Sequence, residues 1–202
     1  LLIRGNEIVE SERKQIKLLF NKGKFEKLKK YCIKYKISMK ICSVNDPKAI
    51  KKINSLKDLL LTRVDVFPLS MMLAQAAIES GWGMSRFAKK GNALFGQWTW
   101  DQSKGLKPNQ SPNANFVVKS FKNLQYSVNS YILNLNTHSA YRKMRKYRKL
   151  IKDIDKTYKG ENFAKYLDKY AEIGYEYVLK VIAMIKSNRL EKYNTLVFVR
   201  NK

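Results

Sequence analysis

Glu79 is the side chain whose setting points most directly to chemistry. It ends the run Ser70-Met71-Met72-Leu73-Ala74-Gln75-Ala76-Ala77-Ile78, in which almost every residue is apolar or small. Pro68 ahead of the run suits the first turn of a helix, where a missing N–H is not needed. Gly81 behind it is a natural helix stop. A helix without a polar face is a buried helix, so the pattern predicts a buried rod that ends in a carboxyl. Desolvation and the negative end of the helix dipole both raise the pKa of that group. A carboxyl that holds its proton near neutral pH is what a general acid needs. Gly81 and Gly83 leave the neighbouring backbone bare for a bulky ligand, and Trp82 supplies a flat stacking face. Downstream, Gly91-Asn92-Ala93-Leu94-Phe95-Gly96-Gln97-Trp98-Thr99-Trp100 adds a loop of glycines, amides and aromatics. Together these suit protonation of a leaving oxygen in a cleft that takes a sugar polymer.

The residues Ala74-Gln75-Ala76-Ala77-Ile78-Glu79-Ser80-Gly81-Trp82-Gly83-Met84-Ser85-Arg86-Phe87-Ala88, followed by Gly91 through Trp98, resemble the signature of bacterial β-N-acetylglucosaminidase domains. The resemblance is to glycoside hydrolase family 73, in particular its Bax-like branch. It resumes at Asn129-Ser130-Tyr131, Asn134-Leu135-Asn136, Ala140-Tyr141 and Tyr175-Glu176-Tyr177, and spans roughly residues 55 to 195. It implies a lysozyme-like fold, mainly α with a small β-lobe beside the cleft. The implied activity is cleavage of the β-1,4 bond after N-acetylglucosamine in peptidoglycan, with no cofactor. Carried over residue by residue, it implies Glu79 and Tyr177 as catalytic groups, the phenol holding a water or orienting the substrate acetamide. It implies Trp82, Asn92, Phe95, Trp98 and Tyr141 as substrate-binding. Strand alternation then turns one of Trp98 and Trp100 into the core, and Trp98 is expected to face sugar.

Such chemistry usually needs a second carboxylate, a nucleophile at ~5 Å or a base at ~6.5–9.5 Å. Relatives often carry that acid in the β-lobe. Between Glu79 and Asp153 this chain has one acid, Asp101, and residues 113–120 contain none. Asp101 is therefore the candidate second carboxylate. Otherwise the substrate's own acetamido group, or a water held by neutral groups, completes the reaction. A lytic transglycosylase or muramidase of the same fold, and a glycan-binding module that has lost its base, are the alternative readings.

With 202 residues the chain is long enough for a sizeable core, and 45% hydrophobic content with 12% aromatics excludes wholesale disorder. No run approaches the ~18 apolar residues that span a bilayer. The net charge of +25 is dominated by lysine, 32 against 9 arginines, distributed from Arg4 to Lys202. That spread fits a generic lysine-rich surface or an anionic polymer such as a cell wall, and gives no dedicated nucleic-acid site. One histidine and no C-x-x-C leave no zinc spacing. Cys32 and Cys42 form either a disulfide, as an exported protein permits, or two buried thiols. A wall enzyme is expected to be exported to the periplasm or cell envelope, and a monomer is expected.

Along the chain, periodicity predicts helices over 7–20 and near Phe25, Leu28, Cys32 and Tyr35, forming an N-terminal helical extension (residues 1–45) ahead of a catalytic domain (46–202). Asn45-Asp46-Pro47 reads as the start of a helix over 47–63, with Ile50, Ile53, Leu56 and Leu60 at helical steps. Asp65 lies in an extended link and reads as a cap or loop residue. Strand character around residues 95–100 and 115–118 marks the β-lobe. Asn123 should cap a helix to about Asn136 that buries Val128, Tyr131, Ile132 and Leu135. Helices over 139–151, built around Tyr141, Met144, Tyr147 and Leu150, over 161–171, with Phe163, Tyr166, Leu167 and Tyr170 turned inward, and over 175–187, with Val178, Ile182 and Ile185 turned inward, complete the reading.

Overall fold

The computed structural model describes residues 1–44, 46, 48–109, 114–153 and 158–197. Among them the α-helices are α1 (Leu2–Asn21), α2 (Lys29–Lys34), α3 (Met39–Cys42), α4 (Ile50–Arg63), α5 (Leu69–Ser80), α6 (Arg86–Gly91), α7 (Leu124–Thr137), α8 (Arg142–Asp153), α9 (Gly160–Ala164) and α10 (Tyr175–Ser187). The strands are β1 (Trp98–Thr99), β2 (Gly105–Leu106) and β3 (Val117–Lys119), joined antiparallel in the order β1-β3-β2. Trp98 pairs with Val118 and Gly105 with Lys119. The fold is mainly α with one small sheet, and no described helix is long and apolar enough to cross a membrane.

The chain forms two compact units. The first takes residues 1–5, 67–132 and 158–202, so it holds α5, the sheet and α10. At its centre α5 packs against α9, α10 and the 3-10 helix Leu190–Val197. That last element has no counterpart in the periodicity reading. Two of its polar side chains tie it in: Asn194 Oδ1 accepts from the Ser70 N–H at 2.9 Å, and Glu191 takes the Ser70 hydroxyl and the Gly160 and Glu161 N–H groups. Free N–H groups at helix starts need such acceptors, and a carboxylate suits the positive end of the dipole. The expected helix over 161–171 stops at Ala164. Tight turns replace it, with N–H groups of Tyr166, Leu167 and Tyr170 each bonding three residues back. As expected, Asn123 starts α7, its carboxamide oxygen accepting from the Tyr126 N–H, and Val128, Tyr131, Ile132 and Leu135 are buried.

The second unit takes residues 6–66 and 133–157. Arginines close its helix ends. Arg148, fully buried, donates to the carbonyls of Thr62, Asp65 and Val66 and to Asn136 Oδ1. Arg13 donates to those of Leu61 and Val64, and Arg145 to those of Leu135 and His138. The last four carbonyls of a helix have no intrahelical partner, and a guanidinium fork can satisfy several at once. Asp65 sits among these cations as a buried loop residue: Lys152 lies 2.6 Å away, Arg13 3.5 Å and Arg148 4.0 Å. Cys32 and Cys42 are joined as a disulfide. Helix α4 begins at Ile50; of its expected start, Asn45 and Pro47 lie outside the described residues, while Asp46 accepts from the Lys48 N–H. Ile50 and Leu150, though on the apolar spacing of their helices, are exposed, because each lies at the edge of its helix's apolar stripe.

Candidate active site

Helix α5 carries Glu79 to a sharp corner. Pro68 is the residue just outside the helix (φ −59°, ψ 132°), one position earlier than expected, and its carbonyl accepts the first helical bond from Met72. At the other end the N–H groups of Gly81 and Trp82 both bond back to Ala77 O. Gly81 (φ +54°), Trp82 (φ +57°) and Gly83 (φ +81°) are three consecutive left-handed residues. For Trp82 this conformation is disfavoured by about 1–2 kcal/mol. The Ser80 hydroxyl holds the corner, donating to Ala76 O and accepting from the Gly83 N–H at 2.7 Å.

Glu79 is half-buried beside this corner. Tyr177, 2% exposed on α10, donates its O–H to Glu79 Oε1 at 2.6 Å. The other carboxyl oxygen faces bare backbone: a Cβ placed on Gly96 would lie 3.2 Å from Oε2, and Gly96 itself has φ +55°. Burial holds the Glu79 pKa above the usual carboxylate value, and the Tyr177 hydrogen bond pulls it back only in part. Burial first, then the negative charge of Glu79, pushes the Tyr177 phenol well above its ordinary value, so it stays a neutral donor. Behind Tyr177 lies fully buried Gln75, whose Nε2 donates to the Tyr177 oxygen at 3.1 Å and whose Oε1 accepts from Tyr131 at 2.5 Å.

An aromatic cluster supports these groups. Tyr170 stacks on Tyr177 (5.1 Å between ring centres), Phe95 on Tyr131 (3.7 Å), and Tyr170 donates to Phe95 O at 3.0 Å. Phe95 is 2% exposed, so it builds this wall rather than a surface for sugar. Tyr141 is also buried and belongs to the other unit, with its ring near His138. Asn92, left-handed at the end of α6, donates its amide to Phe121 O and so shapes the loop. Trp82 is exposed and lines an apolar groove with Leu1, Leu73, Ala76 and Leu94. Trp98 and Trp100 are both exposed, correcting the expectation that one of them is core; β1 is only two residues long, too short for alternation to bury either ring. Trp98 stacks on Phe116 at 4.0 Å. Asp101 is exposed, and hydrogen bonds from Lys104 and Ser103 hold its pKa down at about 2.

In the sequence Gln75 has no assigned role, and Tyr131 and Tyr170 read as core residues. Gln75 carried a signal: it is the one amide in the apolar run and lies four residues before Glu79, on the same helix face. Tyr170 carried none among twelve tyrosines.

Residues 57–190 match the Glucosaminidase family, described as mannosyl-glycoprotein endo-beta-N-acetylglucosaminidase. The chain belongs to that family. It is similar to Protein bax of Escherichia coli (strain K12), 37% identical over 133 residues that cover 64% of this chain. The matched part is 46% of that relative, so the chain spans under half its length. No solved structure matches the chain.

Proposed function

We propose that the protein is a peptidoglycan hydrolase that cleaves the β-1,4 bond after N-acetylglucosamine, with Glu79 as its general acid. The observation that carries this reading is the split environment of one carboxyl, with Oε1 accepting from Tyr177 and Oε2 facing the bare Gly96 backbone. A proton on Oε2 passes to the glycosidic oxygen as the bond to the anomeric carbon breaks. The oxocarbenium-like centre is met by the substrate's acetamide or by water. Glu79, now ionised, takes a proton from the attacking water and is reset. Asp101, neutralised by Lys104, is a poor base, which favours this one-carboxylate scheme. Exposed Trp98 and Trp100 give the β-lobe faces for sugar rings. The Cys32–Cys42 disulfide supports export to an oxidising compartment such as the cell envelope.

A single-carboxylate site also serves a lytic transglycosylase, so the products decide. Purified cell-wall sacculi are digested with wild type and Glu79→Gln, and the fragments are weighed by mass spectrometry. Reducing-end N-acetylglucosamine from wild type alone is the expected result. Anhydro-muramic ends would replace this reading with transglycosylation, and intact sacculi would leave a glycan-binding module.

A further inference from the structure

A glutamine side chain has one donating and one accepting end, whereas a tyrosine hydroxyl can do either. Gln75 is buried between two tyrosine hydroxyls, Tyr131 on α7 and Tyr177 on α10, with no exposed surface of its own. Its Oε1 is taken by the Tyr131 O–H, so its Nε2 faces Tyr177 and donates. With its oxygen receiving that N–H, Tyr177 directs its own proton onward to Glu79 Oε1. The chain Tyr131 to Gln75 to Tyr177 to Glu79 therefore runs in one direction. Hydrogen bonds arranged head to tail polarise and strengthen one another in a low-dielectric interior.

We infer that Gln75 is a positioning residue: it makes Tyr177 a donor to Oε1 and so confines the acidic proton of Glu79 to Oε2, the oxygen facing Gly96. The inference rests on the reading of Glu79 as the acid. Without the Gln75 donor, the Tyr177 hydroxyl is free to turn and accept from Oε1–H. The proton then moves to the oxygen away from the open backbone, where it reaches no leaving group. Gln75 also tunes how firmly the proton is held. An N–H directed at the phenol oxygen makes Tyr177 a stronger donor, which favours ionised Glu79. Loss of Gln75 thus moves the Glu79 titration upward. The groups that act on Glu79 are burial and Tyr177, and Tyr177 is itself faced by Gln75, Tyr131 and, through ring stacking, Tyr170. Of the side chains that act on Tyr177, Glu79 has the largest effect.

The test uses the whole chain with the glutamate side-chain carboxyl carbons 13C-labelled, and follows Glu79 by NMR against pH in wild type, Gln75→Met and Tyr131→Phe; Glu79→Gln assigns the resonance. Methionine keeps the volume of glutamine and removes both polar ends. Phenylalanine keeps the Tyr131 ring and frees Gln75 to turn its amide. The expected result is a rise of about 0.5 pH unit in the Glu79 midpoint for Gln75→Met and a smaller rise for Tyr131→Phe. The same variants should lower kcat on sacculi by about fivefold with KM within about twofold, and move the basic limb of the rate profile upward. Folded variants with an unmoved midpoint would overturn the inference and leave Gln75 a packing residue. If Gln75→Met fails to fold, Tyr131→Phe carries the test alone. The titration needs no activity, so a wild type that leaves sacculi intact while its variants shift the midpoint would sink the hydrolase reading and keep the relay.

Discussion

Two acids withdrawn from solvent, Glu79 in the first unit and Asp65 in the second, are treated in opposite ways. Burial raises the pKa of both. Asp65 meets Arg148, Lys152 and Arg13, and their charges outweigh burial and hold it ionised. Glu79 meets a neutral phenol, which offsets burial only in part, so its pKa stays raised. Burial alone therefore does not decide protonation; the charge of the partners does. The carboxyl with three cations is held as an anion among helix ends, and the one with a hydroxyl has its pKa held above the usual carboxylate value.

The comparison breaks most sharply at Glu79. Glu79→Gln should reduce sacculus digestion by about 10²–10⁴-fold, the range for loss of a general acid, with the fold intact by circular dichroism. Because its folded pKa is raised, Glu79 favours the folded state below its unfolded pKa, and that contribution is lost as pH rises through the folded value. The same variant should therefore be more stable than wild type at neutral pH, with the gain vanishing in acid. The opposite is expected for the second unit. Arg148→Met should destabilise by about 3–5 kcal/mol in urea titrations, since it strips a partner from buried Asp65 and uncaps carbonyls. The folded pKa of Asp65 is depressed, so its contribution is present above its unfolded value of about 3.9 and is lost as pH falls through the folded value. Wild-type stability should drop over that acid range, and the drop should be absent in Asp65→Asn.

Two smaller effects sharpen the contrast. Tyr177→Phe removes the donor to Oε1, and the basic limb of the pH–rate profile should move up by about one pH unit, with kcat lowered about tenfold. Asp101→Asn should leave kcat/KM within about twofold, because that carboxylate is exposed and already paired with Lys104. A loss of about 100-fold would make Asp101 the second carboxylate and end the one-acid scheme.

Local pattern was enough to place Glu79. An apolar run of helical length, a proline ahead of it and a glycine after it determine a buried helix ending in a carboxyl, because each of those preferences acts within a few residues. The Asn123 cap and the buried face of α7 were legible for the same reason. What surrounds Glu79 was decided elsewhere. Tyr177 is 98 residues from Glu79 and Tyr131 is 56 from Gln75, and no periodicity reports a hydrogen bond over that distance. Phe95 and Trp98 lie three residues apart in one aromatic loop, yet one packs against Tyr131 and the other is exposed beside Phe116. Asp65 likewise became an anchor because Arg13, Arg148 and Lys152 reach it from distant helices. The sequence by itself determined where an acid would end a buried helix; only the packing of α7 and α10 around α5 decided which of its oxygens accepts from Tyr177 and which faces Gly96, because a hydrogen bond's direction depends on partners the local chain does not contain.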